Sequence, residues 1–195
     1  LSRIERHTLR EERAIYDNLT GLMIRGAFSE SFRRMIKLAQ RNASQVSLCL
    51  LDLDRFKNIN DRYGHVSGDR VLATLGQLLN RRFRGEDLRC RWGGEEIVLA
   101  LCGSARGQAK LALERLLAEF QSMTFDGGKD PPYHVTFSGG VASYPEDGST
   151  LGMSDIVARM SPFRSVNGKR DRITLRLKPS VSFDTNTWGR SYEGA

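Results

Sequence analysis

Two carboxylates close an apolar segment in Leu51-Asp52-Leu53-Asp54. In an extended chain side chains alternate between faces, so Asp52 and Asp54 point the same way. Like charges this close repel unless a cation or base neutralises them. A hard divalent ion suits the pair, because Mg²⁺ is usually held by one or two carboxylates together with substrate phosphate oxygens. In the competing arrangement only one Asp turns inward and the other caps the next helix; for Asp54 the sequence favours that arrangement. Glu95 and Glu96 form a second acidic pair, directly after Gly93-Gly94. Glutamates are poor strand residues and the glycines leave room for a ligand, which makes this segment a candidate site wall. Lys57 adds a cation suited to phosphate, while Asn60 and Asp69 offer groups able to pair with a base edge. An Asp can accept from the ring N–H and the exocyclic amine of guanine together. Acids for a metal, a cation for phosphate and amide or carboxylate groups for a base are the parts of metal-assisted phosphoryl transfer on a nucleotide.

The elements that would hold these residues follow from periodicity. Apolar spacing over residues 27–39 predicts an amphipathic helix, and the near-continuous apolar run at residues 46–53 predicts a strand buried on both faces. Residues 56–63 are helix-like, residues 64–68 read as a break, and residues 71–79 mark a second helix. Strands at residues 88–92 and 97–101, separated only by Gly93-Gly94-Glu95-Glu96, read as a hairpin. A helix over residues 108–120, a loop at 127–132, a strand over 133–142, a short helix from Ser154 interrupted at Pro162 and a last strand at 172–177 complete the order. Such an order predicts an α/β fold with a mixed or antiparallel central sheet flanked by helices, because the hairpin strands have no crossover helix between them. Residues 1–16 read as an exposed linker or signalling helix, residues 17–177 as the catalytic domain and residues 178–195 as a flexible tail.

The chain of 195 residues carries 30 Lys and Arg against 23 Asp and Glu, a formal charge of +7. One domain of ordinary size with an anionic partner is the expectation. Disorder is excluded by the hydrophobic fraction of 39%. Cys49, Cys90 and Cys102 lie in apolar segments without metal spacing and read as buried, reduced thiols of a cytoplasmic protein. No apolar run approaches the roughly 20 residues that span a bilayer, so no membrane contact is expected of this piece. The opening Leu1 points to excision from a longer protein. A basic nucleic-acid-binding module would account for the charge but not for the acidic pairs.

Taken in order, the motifs resemble the GGDEF domain family, the diguanylate cyclases. They are Asp17-Asn18-Leu19-Thr20-Gly21-Leu22, the segment Asp52-Leu53-Asp54-Arg55-Phe56-Lys57-Asn58-Ile59-Asn60-Asp61, Tyr63-Gly64-His65 with Gly68-Asp69, Arg91-Trp92-Gly93-Gly94-Glu95-Glu96, and Thr136-Phe137-Ser138-Gly139-Gly140-Val141. The resemblance implies a fold like that of nucleotide cyclases and polymerase palms. It implies condensation of two GTP into cyclic di-GMP and two pyrophosphates, at a Mg²⁺ or Mn²⁺ site formed between two domains of a homodimer. By matched position Asp52, Leu53 through its carbonyl, Glu95 and Glu96 would hold the metal. Glu95 would also be the candidate base and Lys57 would stabilise phosphate charge. Asn60 and Asp69 would read guanine, and Arg84 with Asp87, as Arg84-Gly85-Glu86-Asp87, would form an inhibitory site for the product. A nucleic-acid polymer is not an implied partner.

Three departures stand out. Met23-Ile24-Arg25 replaces the usual Pro-Asn-Arg, and Ile97 replaces the usual Phe after the acidic pair. Residues 154–172, with Ser161-Pro162-Phe163, lack the family's closing lysine motif, for which Lys169 or Arg170 would substitute at the triphosphate. A degenerate domain that binds GTP or cyclic di-GMP and signals without turnover is therefore the alternative function.

Overall fold

A computed structural model describes residues 15–147 and the backbone of residues 173–174. The linker helix, most of the segment expected to close the domain, Lys169, Arg170 and the tail lie outside the described residues. Among the described residues ten elements run β1 (Met23–Ile24), α1 (Arg25–Arg41), β2 (Val46–Leu53), α2 (Phe56–Tyr63), α3 (His65–Arg82), β3 (Leu88–Arg91), β4 (Glu96–Cys102), α4 (Arg106–Ser122), β5 (Phe137–Tyr144) and β6 (Ile173–Thr174). The sheet order is β1-β3-β4-β2-β5-β6. β3, β4, β2 and β5 are antiparallel to one another, while β1 joins β3 and β6 joins β5 in parallel. This is the mixed sheet that the element order predicts.

β2 lies at the centre because both its faces are apolar. Val46, Leu48 and Leu50 pack with Phe28, Phe32, Ile36 and Ala39 of α1. Cys49, Leu51 and Leu53 pack on the other side with α3 and α4, through residues such as Val71, Leu75, Leu113 and Phe120. Each of these fully buried large side chains contributes about 1.5–3 kcal/mol. Ile97 is 1% exposed and fills its core position as an aliphatic residue should.

The expected break between residues 64 and 68 narrows to one residue. Gly64, with φ +83, forms the elbow that only glycine adopts readily, and α3 starts at once with His65. The strand expected over residues 133–142 begins only at Phe137, because Tyr133 and Phe125 exchange backbone hydrogen bonds of 3.0 and 2.8 Å with each other. β1, two residues long, gave no periodic signal. Cys49 and Cys90 are buried as expected; Cys102 is exposed, because it ends β4 where the chain turns at Gly103. Burial pushes the Cys90 thiol up to about 12, so it stays protonated and unreactive. No described helix is long and apolar enough to cross a membrane.

Candidate active site at the end of the central strand

Register brings the acids together. Asp52 of β2 stands directly opposite Glu96 of β4 and, on its other side, opposite Ser138 of β5. Both carboxylates are partly buried. Like charges directly opposite on paired strands are unfavourable, a cost that a shared cation removes. Glu95 occupies the turn beside them, and its carbonyl accepts from the Leu53 N–H at 3.4 Å. The donor set fits a hard divalent ion that completes its shell with substrate oxygens. Among the described residues no group of three His, Cys, Asp or Glu forms a preassembled metal cage. The sequence therefore located the acidic residues, and the register showed that Glu96 is the cross-strand partner of Asp52.

Asp54 has another role. It is buried, and its carboxylate accepts from the Thr136 and Ser138 hydroxyls, each at 2.7 Å. Its backbone N–H donates to the Thr136 carbonyl at 2.9 Å. Because Ser138 opposes Asp52, Asp54 shares that end of the sheet, where Thr136, just before β5, and Ser138 of β5 hold its carboxylate. Nor does it cap α2, whose N-cap is Arg55 in the left-handed conformation without a side-chain cap hydrogen bond. The first N–H groups of α2 point out of the helix, just after the acidic strand end, and its first turn contains Lys57 and no acid. Lys57 is exposed.

Asn60 lies half-buried on α2, packed against Gly68 of α3. A Cβ on Gly68 would come within 2.0 Å of the Asn60 carboxamide oxygen, so Gly68 makes room for that side chain. Asp69 follows Gly68 and is exposed. The elbow at Gly64 thus brings both candidate base readers to one corner.

The hairpin tip is held from outside. Arg91 donates to the Gly94 carbonyl through Nε and Nη2, at 3.1 and 3.0 Å, and pairs with Asp17 through Nη1 at 3.2 Å. Asp17 also accepts from the Thr20 N–H at 2.9 Å and the Thr20 hydroxyl at 2.7 Å. Burial pushes the Asp17 carboxyl up, but the Thr20 hydrogen bonds and the Arg91 charge outweigh it and leave the group below the ordinary 3.8. This latch joins the Asp17–Leu22 turn to the acidic hairpin, and only the residues around it, not the contact, were visible in the sequence.

Arg84 and Asp87 occupy the turn before β3. Asp87 is buried, and its two oxygens accept from the Arg84 and Cys102 N–H groups, each at 3.0 Å. The Arg84 side chain is exposed, with Glu86 3.9 Å away.

Fold and site together define an α/β domain with opposed carboxylates at a central strand end, a glycine hairpin and a polar corner at Asn60 and Asp69. Residues 14–159 match the family model described as diguanylate cyclase, GGDEF domain, and the chain belongs to that family. It is 33% identical over 165 residues to diguanylate cyclase DgcP of Pseudomonas aeruginosa, spanning 84% of this chain and 24% of that protein. Similarity to diguanylate cyclase DgcS of Shewanella oneidensis is 40% over 105 residues, 54% of this chain and 35% of that protein. The chain thus spans only a quarter to a third of these relatives. Among solved structures, the GGDEF domain of DgcB from Caulobacter crescentus, crystallised with c-di-GMP, matches with a TM-score of 0.74 at 26% identity, covering 83% of this chain and 93% of that one. Diguanylate cyclase SiaD of P. aeruginosa, crystallised with its activator SiaC, matches with a TM-score of 0.69 at 34% identity, covering 82% of this chain and 60% of that one.

Proposed function

We propose that the domain condenses two GTP into cyclic di-GMP with release of two pyrophosphates, each of two copies facing the other with one bound nucleotide. The observation that carries this reading is the register of Asp52 against Glu96, beside the hairpin tip and the open end of α2. Asp52, Glu95, Glu96 and the Leu53 carbonyl would hold Mg²⁺ or Mn²⁺. Such an ion neutralises phosphate charge and lowers the pKa of an oxygen bound to it. Lys57, with the first N–H groups of α2, meets phosphate oxygens and stabilises the charge that develops as pyrophosphate leaves. Glu95 is the candidate acceptor of the ribose 3′-hydroxyl proton, a role that competes with holding a metal. Asn60 and Asp69 pair with the guanine edge, and Arg170 is the candidate second cation for the triphosphate. At the product site Arg84 stacks on and pairs with guanine. Asp87, buried with both oxygens engaged by backbone N–H groups, fixes the turn that presents Arg84.

The divergent sequence at residues 154–172 favours a second reading, a domain that binds GTP or cyclic di-GMP without turnover. Nucleotide chromatography after incubation with GTP and Mg²⁺ at high protein concentration separates the two. Cyclic di-GMP that appears with the wild type and not with Glu95→Gln supports the cyclase. Bound but unconverted GTP supports the binding module.

A further inference from the structure

Asn60 can read a base only if α2 holds its place against α3. An eight-residue helix does not persist alone, so its position must come from tertiary contacts. Its inner face is anchored by Phe56 and Ile59 in the core. Among the described residues, contacts at both of its ends come from one stretch of chain, residues 130–138. At the N-terminal end, Thr136 and Ser138 hold Asp54. At the C-terminal end, Tyr63 stacks on Tyr133, with ring centroids 4.1 Å apart and planes 8° from parallel. One residue earlier, Arg62 donates to both Asp130 carboxylate oxygens at 3.1 and 3.3 Å.

Tyr133 is itself fixed. Its ring lies 5.7 Å from that of Phe125, which is 5% exposed and packs edge-on to Phe120 in the core. Burial and the neighbouring Tyr63 raise the Tyr133 phenol, and Ser67 in the first turn of α3 offsets part of that rise. Tyr133 therefore stacks on the last residue of α2 and lies near Ser67 of α3, which adjoins Gly68, the residue against which the Asn60 carboxamide rests. This geometry is stronger than a surface ion pair, since stacked aromatic contacts add to ordinary burial and do not fade with salt.

We propose that Tyr133 is a positioning residue for guanine recognition: stacked on Tyr63, it locks α2 against α3 and so fixes Asn60 beside Asp69. It touches no nucleotide and acts through Asn60. The inference rests on the nucleotide reading above and adds to it the origin of base selectivity.

The test uses the full chain and equilibrium binding of GTP and of ITP, which lacks the exocyclic amine of guanine, in the presence of Mg²⁺. Tyr133→Ala is expected to lower the GTP-over-ITP affinity ratio by about fivefold or more, because a reader out of place no longer rewards the amine. ITP affinity, set by phosphate contacts, stays near the wild-type value. Tyr133→Phe, which keeps the stack, retains most of the ratio. In an Asn60→Ala background the Tyr133 substitution adds nothing, as residues acting through one contact are not additive. An unchanged ratio in folded Tyr133→Ala, or full additivity with Asn60→Ala, overturns the proposal. If Tyr133→Ala fails to fold, Tyr133→Leu, which keeps an apolar body without the stack, carries the same two outcomes. A wild type that binds neither nucleotide sinks the nucleotide reading and this proposal together; wild-type preference for GTP with an unchanged variant ratio sinks this proposal alone.

Discussion

Asp52 and Asp54 stand two residues apart and do opposite things. Asp54 is part of the fold, since both of its oxygens are taken by hydroxyls of the β5 segment. Asp54→Ala should cost about 2–4 kcal/mol in urea unfolding, because two hydrogen bonds to a charge are lost and two hydroxyls are left behind. Asp52 instead faces Glu96, so Asp52→Asn should leave stability unchanged or raise it by about 0.2–1 kcal/mol in metal-free buffer. Turnover of GTP should nevertheless disappear. Substantial destabilisation by Asp52→Asn would make it a structural residue like its neighbour. Asp17 supplies a pH-dependent case. Its folded pKa lies below the ordinary 3.8, so its contribution is fully present above that value and is lost as pH falls through the folded pKa. The stability gap between wild type and Asp17→Asn should be level around neutral pH and close below about pH 4. A gap of equal size under acid conditions would show that Asp17 acts through its shape alone.

Among the elements, two glycines on α3 separate stability from binding. A Cβ on Gly76 would lie 2.3 Å from the Thr20 carbonyl oxygen, in backbone that cannot yield cheaply. Alanine gains up to about 1 kcal/mol in helix propensity, but forced overpacking costs about 1–3 kcal/mol. Gly76→Ala should therefore be net destabilising by thermal melting. At Gly68 the nearest atom is the Asn60 side-chain oxygen at 2.0 Å, with the Phe56 ring at 3.1 Å, so Gly68→Ala should displace Asn60, cost less stability than Gly76→Ala and weaken GTP binding, as isothermal titration would show. If both variants behave alike, the corner around Asn60 is not a distinct functional unit. The same scale shows what the sequence could carry. β2 and α2 were legible to the residue because an apolar run and a single apolar helix face determine them locally. The partners of Asp54 lie 82 and 84 positions away, and the opposition of Asp52 and Glu96 depends on how two separate strands align. Neither relation has a local signal. Tyr133 was expected to open a strand that begins only at Phe137, and its stack on Tyr63 at the end of α2 has no local signal either.

At the scale of the molecule, the surplus of positive charge does not mark the site. The strand end is acidic, and many arginines serve the fold or the surface: Arg91 holds the hairpin, Arg81 and Arg82 both reach Glu119, and Arg106 pairs with Asp147. Among the described cations, Lys57 and Arg84 are the two proposed to meet nucleotide, and both are exposed. On the proposed reading, one domain holding one GTP supplies a 3′-hydroxyl but no second α-phosphate for it to attack. Ring closure then needs a second copy, and an isologous pairing about a two-fold axis presents each nucleotide to the other. Specific activity should accordingly rise with protein concentration until the dimer is saturated, then level off. Adding an excess of Glu95→Gln protein should suppress wild-type turnover, because mixed pairs form at the expense of active ones. A specific activity constant over about a hundredfold dilution into the nanomolar range, where weak dimers part, would show that a single domain completes the chemistry and that the two-copy site is wrong.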